Sequence, residues 1–230
     1  MESIKIGNEH AHDRWLNIWE KGLKIGDAFD TGSPSPCLIK EIEEGRVPNG
    51  RALVPGCGRG YDVYALATSE RIAIGLDLSI VAVNEAQALG NQCQAVENAI
   101  FRQGNFFELN IEDKFDFIYD YTFLCALDPS IRSDWAKMMS DLVKPGGILL
   151  TLIFPICEKT GGPPFSMSLN IVQELLMTGP EAGKWSMERL ELLPSELCHA
   201  GRDGSPGGFV RPGMIGGGAA SGIGRWVRSL

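Results

Sequence analysis

Between Ala52 and Phe154 five short apolar runs, Ala52–Val54, Ile72–Leu76, Ile100–Phe101, Phe115–Tyr121 and Ile148–Phe154, are separated by segments with helical spacing. A strand that repeatedly gives way to a helix pairs parallel with the next one through right-handed crossovers, because a tight hairpin leaves no room for the helix. The clearest helix starts at Asp128-Pro129 and carries Ile131, Trp135, Met138, Met139 and Leu142 on one face. Lys144-Pro145-Gly146-Gly147 then predicts a turn whose second central residue tolerates positive φ. A helix near Ser168–Met177 and a strand near Trp185–Leu193 extend the alternation, and Arg225-Trp226-Val227 has the pattern of a last edge strand. The expected fold is therefore α/β, a Rossmann-like, doubly wound, mostly parallel seven-stranded sheet with helices on both faces.

The flanks of this alternation differ. Residues 10–22 read as a helix with Trp15, Trp19 and Leu23 on one stripe, and Ser35-Pro36 opens a short helix with serine as cap and proline at the first helical position. Residues 1–35 are expected to form a helical lid on a single domain spanning 1–230. Ten of the 24 residues from 201 to 224 are glycine, so this stretch is expected to be a loop or an aberrant insertion rather than regular structure.

A formal charge of −8 and the lack of a dense Lys/Arg cluster argue against a nucleic-acid partner, which would need a basic groove to displace counterions. The first residues carry no long apolar run, so neither a signal peptide nor a membrane span is expected, and cytoplasm is the expected compartment. The six cysteines form no C-x-x-C pair and are expected to be free thiols.

Directly after the first strand runs Val54-Pro55-Gly56-Cys57-Gly58-Arg59-Gly60-Tyr61-Asp62. Glycines here allow a tight strand-to-helix turn and close approach of backbone to a ligand. A dinucleotide loop would place its third glycine at position 61, where Tyr61 stands. The G-x-G-x-G spacing suits a ligand without pyrophosphate.

Asp77 ends the second strand about 20 residues on, where an acid accepts hydrogen bonds from ribose hydroxyls in Rossmann-like sites. The alternative is a helix cap, a task open to Ser79 as well. Asn105 and Phe106, past the third strand, are placed to meet adenine, or else are a loop amide and a core ring. Tyr121, at the end of the fourth strand, should border the reacting centre. Asp120 and the His10-x-His12 pair invite a metal reading, but no carboxylate cluster or third ligand supports it, so no metal is expected. Cys57 and Cys125 read as small fillers rather than nucleophiles.

Several stretches together resemble the thiopurine methyltransferase family, particularly its thiol and halide methyltransferase branch. They are Trp15-x-x-x-Trp19-Glu20-Lys21-Gly22, Phe29-Asp30-x-Gly32, Leu53-Val54-Pro55-Gly56-Cys57-Gly58, Phe115-Asp116-Phe117-Ile118-Tyr119-Asp120-Tyr121 and Gly161-Gly162-Pro163-Pro164-Phe165. Most methyltransferases place an acid two residues before the first loop glycine, where this chain has Val54. The resemblance implies S-adenosylmethionine as cofactor, with Trp15, Trp19 and Phe29 closing over its methionine end. It places Gly56 and Gly58 beside that portion, Asp77 at the ribose, Asn105 and Phe106 at the adenine and Tyr121 beside the sulfonium. Phe165 would help wall the acceptor pocket. Asn105 stands where the family usually has aspartate, which implies weaker adenine binding. The Gly-rich 201–222 stretch, ahead of Gly224-Arg225-Trp226, departs from the family's compact C-terminus.

What this implies is a monomeric enzyme that methylates a small thiol or a halide- or thiocyanate-type anion by in-line displacement. Such a nucleophile has no proton to lose in the transfer itself, and no Ser/His/Asp or Cys/His set is evident. No general base is assigned, and Tyr121 is a positioning group. Three alternatives stay open: a larger aromatic thiol or thiopurine as acceptor, a cofactor-binding protein with impaired turnover, and an NAD-dependent oxidoreductase on the same sheet.

Overall fold

The computed structural model describes residues 9–27, 29–92, 97–112, 114–205 and 218–230, with α1 side chains from Arg14 onward. Thirteen elements position the site. They are α1 (Glu9–Glu20), α2 (Pro36–Glu43), β1 (Gly50–Pro55), α3 (Tyr61–Leu66), β2 (Arg71–Asp77), α4 (Ile80–Gln92), β3 (Ala99–Gln103), β4 (Phe115–Tyr121), α5 (Arg132–Leu142), β5 (Val143–Ile156), α6 (Leu169–Met177), β6 (Trp185–Leu192) and β7 (Ala220–Arg228). The strands form one sheet in the order β3-β2-β1-β4-β5-β7-β6. The first five pair parallel, and β7 runs antiparallel to both β5 and β6.

Alternation along the strands builds two cores. In β4, Ile118 packs with Trp135, Met139 and Leu142 of α5 and Val172 and Leu176 of α6. Its neighbours Phe117, Tyr119 and Tyr121 face the other way, with Leu38 of α2 and Val63 and Leu66 of α3. Period-two side chains on a parallel sheet have to be covered on both faces, and the helices of the crossovers do the covering.

The expected cap forms at Ser35, and a second serine caps the start of α6. Ser35 accepts the Leu38 N–H at 3.4 Å ahead of Pro36, and Ser168 accepts the Ile171 N–H at 3.2 Å. Three expectations are corrected. Arg225-Trp226-Val227 lies in an interior strand, not at the edge, because β7 inserts between β5 and β6, with Trp226 fully buried and its Nε1 donating to Thr151 Oγ1 at 3.1 Å. The Lys144–Gly147 turn does not separate α5 from a strand. It forms an irregularity inside β5, where pairing with β4 jumps from Phe115↔Val143 to Phe117↔Ile148 and Gly146 takes φ 75°. Leu23 falls beyond the end of α1, so it is not on the tryptophan stripe.

The glycine-rich segment is described only at its two ends. Gly204 N–H donates to Ala219 O at 3.2 Å, and Ser221 Oγ donates to Arg202 O at 2.8 Å, so those ends are drawn together. Residues 206–217 lie outside the described residues. Among the described residues no helix is long and apolar enough to cross a membrane.

Candidate active site

Strand order reverses between β1 and β4, and ligands of open α/β sheets bind beyond the strand carboxyl ends at such a point. A cavity of ≈ 200 Å³ opens there. Gly56 and Gly58 line it after β1, Asp77 at the end of β2, Asn105 and Phe106 after β3, and Tyr121 at the end of β4. Trp15, Trp19 and Phe29 line it from the N-terminal segment.

The loop geometry explains its glycines. Gly56 has φ 61°, and a Cβ there would come within 2.7 Å of the Phe123 ring. Gly60 has φ 76°, and a side chain would collide with Phe101 of β3 and press on Ala86 of α4. The close packing that a dinucleotide loop gives to its third glycine is here done by Gly60.

Asp77 is fixed by this loop. Its Oδ2 accepts the Gly58 N–H and its Oδ1 the Ser79 N–H, each at 2.9 Å. The α4 cap belongs to Ser79, whose hydroxyl accepts the Ala82 N–H at 3.3 Å. Burial raises the Asp77 pKa and the backbone donors oppose the rise. Each oxygen retains a second acceptor position for a ligand hydroxyl. Asn105 lines the cavity but is partly committed: its Oδ1 accepts the Phe107 N–H at 3.1 Å and its Nδ2 donates to Glu108 at 3.2 Å.

The N-terminal segment closes the cavity with rings. Phe29 meets Trp15 and Trp19 edge-on at 5.4 and 5.9 Å between centroids. Arg59, in the glycine loop, ties this segment down. It donates to Asp30 at 2.7 Å, to the Leu23 carbonyl and to Glu85 of α4, and lies 5.5 Å over the Trp19 ring. Sequence reasoning passed over Arg59 because a charged residue in the variable slot of a loop looks solvated.

At the opposite end, Tyr121 is 8 % exposed and stacks on His199 at 5.7 Å. Its hydroxyl accepts from Arg202 at 2.6 Å. Burial raises the phenol pKa well beyond the ordinary value, and the arginine opposes the rise. Tyr121 therefore stays protonated near neutrality and cannot serve as a base. Arg202 is 4 % exposed, lines the cavity, donates to Phe29 O at 3.1 Å and lies 4.6 Å over the Phe154 ring. His199 is pushed down to about 4, first by burial and then by Arg202, and is neutral at pH 7. Neither residue carried a sequence signal beyond its position at the edge of the glycine-rich stretch.

Thr122, next to Tyr121, adopts φ 61°, a costly conformation for a β-branched residue and the only non-glycine positive φ among the described residues. Asp120, near the end of the strand before this bend, is bonded across it. Its Oδ1 accepts the Leu124 N–H at 3.1 Å and its Oδ2 the Trp135 Nε1–H at 2.8 Å. Asp120 thus serves the chain turn. Among the described residues no three His, Cys, Asp or Glu side chains converge as metal ligands. The side chains of His10 and His12 lie outside the described residues.

Cys57 and Cys125 also line the cavity, and burial raises both thiols, Cys125 to about 12, which disfavours the thiolates. Phe165 does not line it. Its N–H is tied to Cys125 O at 2.7 Å and its ring lies 5.9 Å from the Arg132 guanidinium, so Pro164 forms that part of the wall.

The comparisons with known proteins agree with this geometry. A family model described as thiopurine S-methyltransferase (TPMT) matches residues 10–200. The chain is similar to "Probable thiol methyltransferase 2" of Arabidopsis thaliana, at 38% identity over 200 residues, covering 87% of this chain and 84% of the relative. It is also similar to "Thiocyanate methyltransferase 1" of Brassica oleracea, at 37% over 163 residues and 71% of each chain. In fold it resembles the crystal structure of magnesium protoporphyrin IX methyltransferase from Synechocystis PCC 6803 with bound SAM. That match has a TM-score of 0.60 and 17% identity over 96% of this chain and 93% of the other. This chain belongs to the thiopurine S-methyltransferase family and is an S-adenosylmethionine-dependent methyltransferase.

Proposed function

We propose that the enzyme methylates a small soft anion, a thiolate or a halide- or thiocyanate-type ion, beside Tyr121, Phe154 and Arg202. The observation that carries this reading is a buried guanidinium in an otherwise largely aromatic and apolar wall at the strand end where the acceptor should lie. Such a wall desolvates an anion, and the arginine compensates its charge. The names of the two plant relatives point the same way.

The cavity suits the cofactor. Asp77 keeps acceptor positions for the ribose hydroxyls, and Gly56 and Gly58 bring bare backbone to the cavity wall, where a Cβ on Gly56 would strike the Phe123 ring. Trp15, Trp19 and Phe29 form an aromatic cover for a cation, and Asn105 and Phe106 border the adenine end. The bound cofactor supplies an electrophilic methyl group on a sulfonium. An acceptor held there would take the methyl group in line, the electron pair of the methyl–sulfur bond staying on the departing sulfur. Tyr121 and Arg202 orient the acceptor, and the aromatic cover excludes water. An anion that arrives ionised needs no base in the transfer step.

An acceptor panel of iodide, bromide, thiocyanate, hydrogen sulfide, small thiols and thiopurines, read by mass spectrometry of the methylated product, tests this. The expected products come from thiocyanate, iodide or small thiols. Methylation of thiopurines alone, or of nothing while S-adenosylmethionine binds, rejects the proposal. Asp77→Ala should weaken S-adenosylhomocysteine binding by about 1–3 kcal/mol in calorimetry, through loss of charged hydrogen bonds to the ribose. An unchanged dissociation constant removes Asp77 from the ribose site.

A further inference from the structure

Three carboxylates line the cavity: Asp30, Asp62 and Asp77. Asp30 is consumed by the lid. Its Oδ1 accepts from Gly32 at 2.8 Å and Tyr61 at 3.2 Å, and its Oδ2 accepts from Arg59 at 2.7 Å. Asp77 has a backbone donor on each oxygen. Asp62 differs. Its Oδ1 accepts the Ser35 N–H at 2.7 Å, while its Oδ2 has no donor among the described residues.

A carboxylate in this setting is held in place on one side and short of a partner on the other. Burial pushes its pKa to about 6, with the Ser35 N–H and the more distant charge of Arg202 only partly opposing this. A cation that enters the cavity is the natural complement. The cofactor carries two positive centres. Its sulfonium has no N–H or O–H to donate, whereas its α-ammonium has three donors. Asp62 lies two residues past the last loop glycine, so it borders the part of the cavity that the glycine loop and the lid enclose. It also gives the pocket a carboxylate that position 54, a valine, does not supply.

We infer that Asp62 receives the α-ammonium group of S-adenosylmethionine, with Ser35 N–H holding the carboxylate in orientation. The Oδ2 position accepts an N–H of the ammonium, and the paired charges satisfy the half-buried carboxylate. This concerns the methyl donor alone and holds whichever acceptor the enzyme uses.

Calorimetry without any acceptor tests it, using three ligands: S-adenosylhomocysteine, its analogue with the α-amino group replaced by hydrogen, and 5′-methylthioadenosine, which lacks the amino-acid portion altogether. Asp62→Asn keeps the size of the side chain and an oxygen for the Ser35 N–H. The variant is expected to bind S-adenosylhomocysteine about 10- to 50-fold more weakly, since it loses one charged hydrogen bond. Its affinity for 5′-methylthioadenosine should stay within twofold of wild type, which also shows that the cavity is intact. Wild type should lose a similar factor on the deaminated analogue, and Asp62→Asn should discriminate between the amino and deaminated ligands by less than threefold. Unchanged binding of S-adenosylhomocysteine overturns the inference. So does an equal loss for all three ligands, which would assign Asp62 to holding Ser35 and the fold. The wild-type comparison of the two homocysteine ligands needs no variant, and equal affinities there overturn the inference even if Asp62→Asn fails to fold.

Discussion

Arg202→Met should raise KM for thiocyanate by about 100-fold, equivalent to about 2.7 kcal/mol, with kcat changed by less than about threefold. The split follows from the charges. An anionic acceptor and a cationic sulfonium neutralise each other as methyl transfer proceeds, so a nearby guanidinium stabilises the free anion at least as well as the transition state. Its removal therefore costs binding more than it costs the chemical step. The site is buried, so solvent cannot restore the lost interaction as it would on a surface. A thiol acceptor adds a second consequence. A cation beside the sulfur favours thiolate and lowers the bound thiol's pKa, so its loss raises that pKa and moves the rising limb of the pH–rate profile to higher pH. Thiocyanate, with no proton to lose, should show no such displacement. Arg202→Lys should recover only part of the loss, because an ammonium cannot match a planar fork that reaches Tyr121 Oη and Phe29 O together. Steady-state kinetics with both acceptors across pH 6–9 decide the matter. An unaltered KM for thiocyanate removes Arg202 from the acceptor site.

The N-terminal segment should tolerate that substitution, because it has its own fastening. Arg59 grips Asp30, the Leu23 carbonyl and Glu85 independently of Arg202. S-adenosylhomocysteine affinity in Arg202→Met is therefore expected to stay within about fivefold of wild type, the allowance covering the lost bond to Phe29 O.

The parts of this site that could be read in the sequence are those set by local rules. Positive φ at a strand-to-helix turn demands glycine, so Gly56, Gly58 and Gly60 announced the loop, and a fixed spacing led from them to Asp77. Period-two and helical spacing marked strands and helices, and Ser35-Pro36 marked the capped start of α2. What stayed hidden depends on contacts between segments far apart in the chain. No local pattern says that β7 enters between β5 and β6, since strand order is settled by pairing between residues far apart in the chain, as in Thr151↔Gly224 and Leu192↔Gly222. Arg202 reaches Tyr121 across 81 positions, and Asp62 reaches Ser35 across 27. Phe165, which the resemblance put at the acceptor pocket, does not line this cavity; its ring lies by the Arg132 guanidinium, a contact between residues 33 positions apart. Side chains whose role is charge compensation in a buried place are the least visible of all, because isolated Asp and Arg residues read as solvated.

Glu41→Ala should lower the unfolding free energy by about 3 kcal/mol and the midpoint of thermal unfolding by about 6–12 °C. Glu41, on α2, is 1 % exposed and gathers three arginines from different parts of the chain. Arg46 binds it through two nitrogens at 2.9 and 2.7 Å, Arg189 of β6 approaches to 3.2 Å, and Arg225 of β7 stands at 3.7 Å. Without the carboxylate, the three like charges lose the group that lets them converge. Arg225 suffers most, since its side chain is 13 % exposed and its Nη1 already lacks a hydrogen bond among the described residues. Arg46 and Arg189 are about one-third exposed and recover hydration, which is why the expected loss lies at the low end for a broken buried pair. Glu41→Gln retains acceptor oxygen but not charge and should cost roughly half as much. The same cluster explains how the C-terminal strand stays fastened beyond a glycine-rich stretch: Arg225 also donates to Arg46 O at 2.9 Å and to Glu188 at 2.8 Å, so β7 is bound to α2 and its following turn as well as to its sheet neighbours. Urea unfolding of the two variants, followed by tryptophan fluorescence, is the measurement. A loss below about 1 kcal/mol for Glu41→Ala would mean that the arginines separate into water, and that β7 is held by its sheet pairing alone.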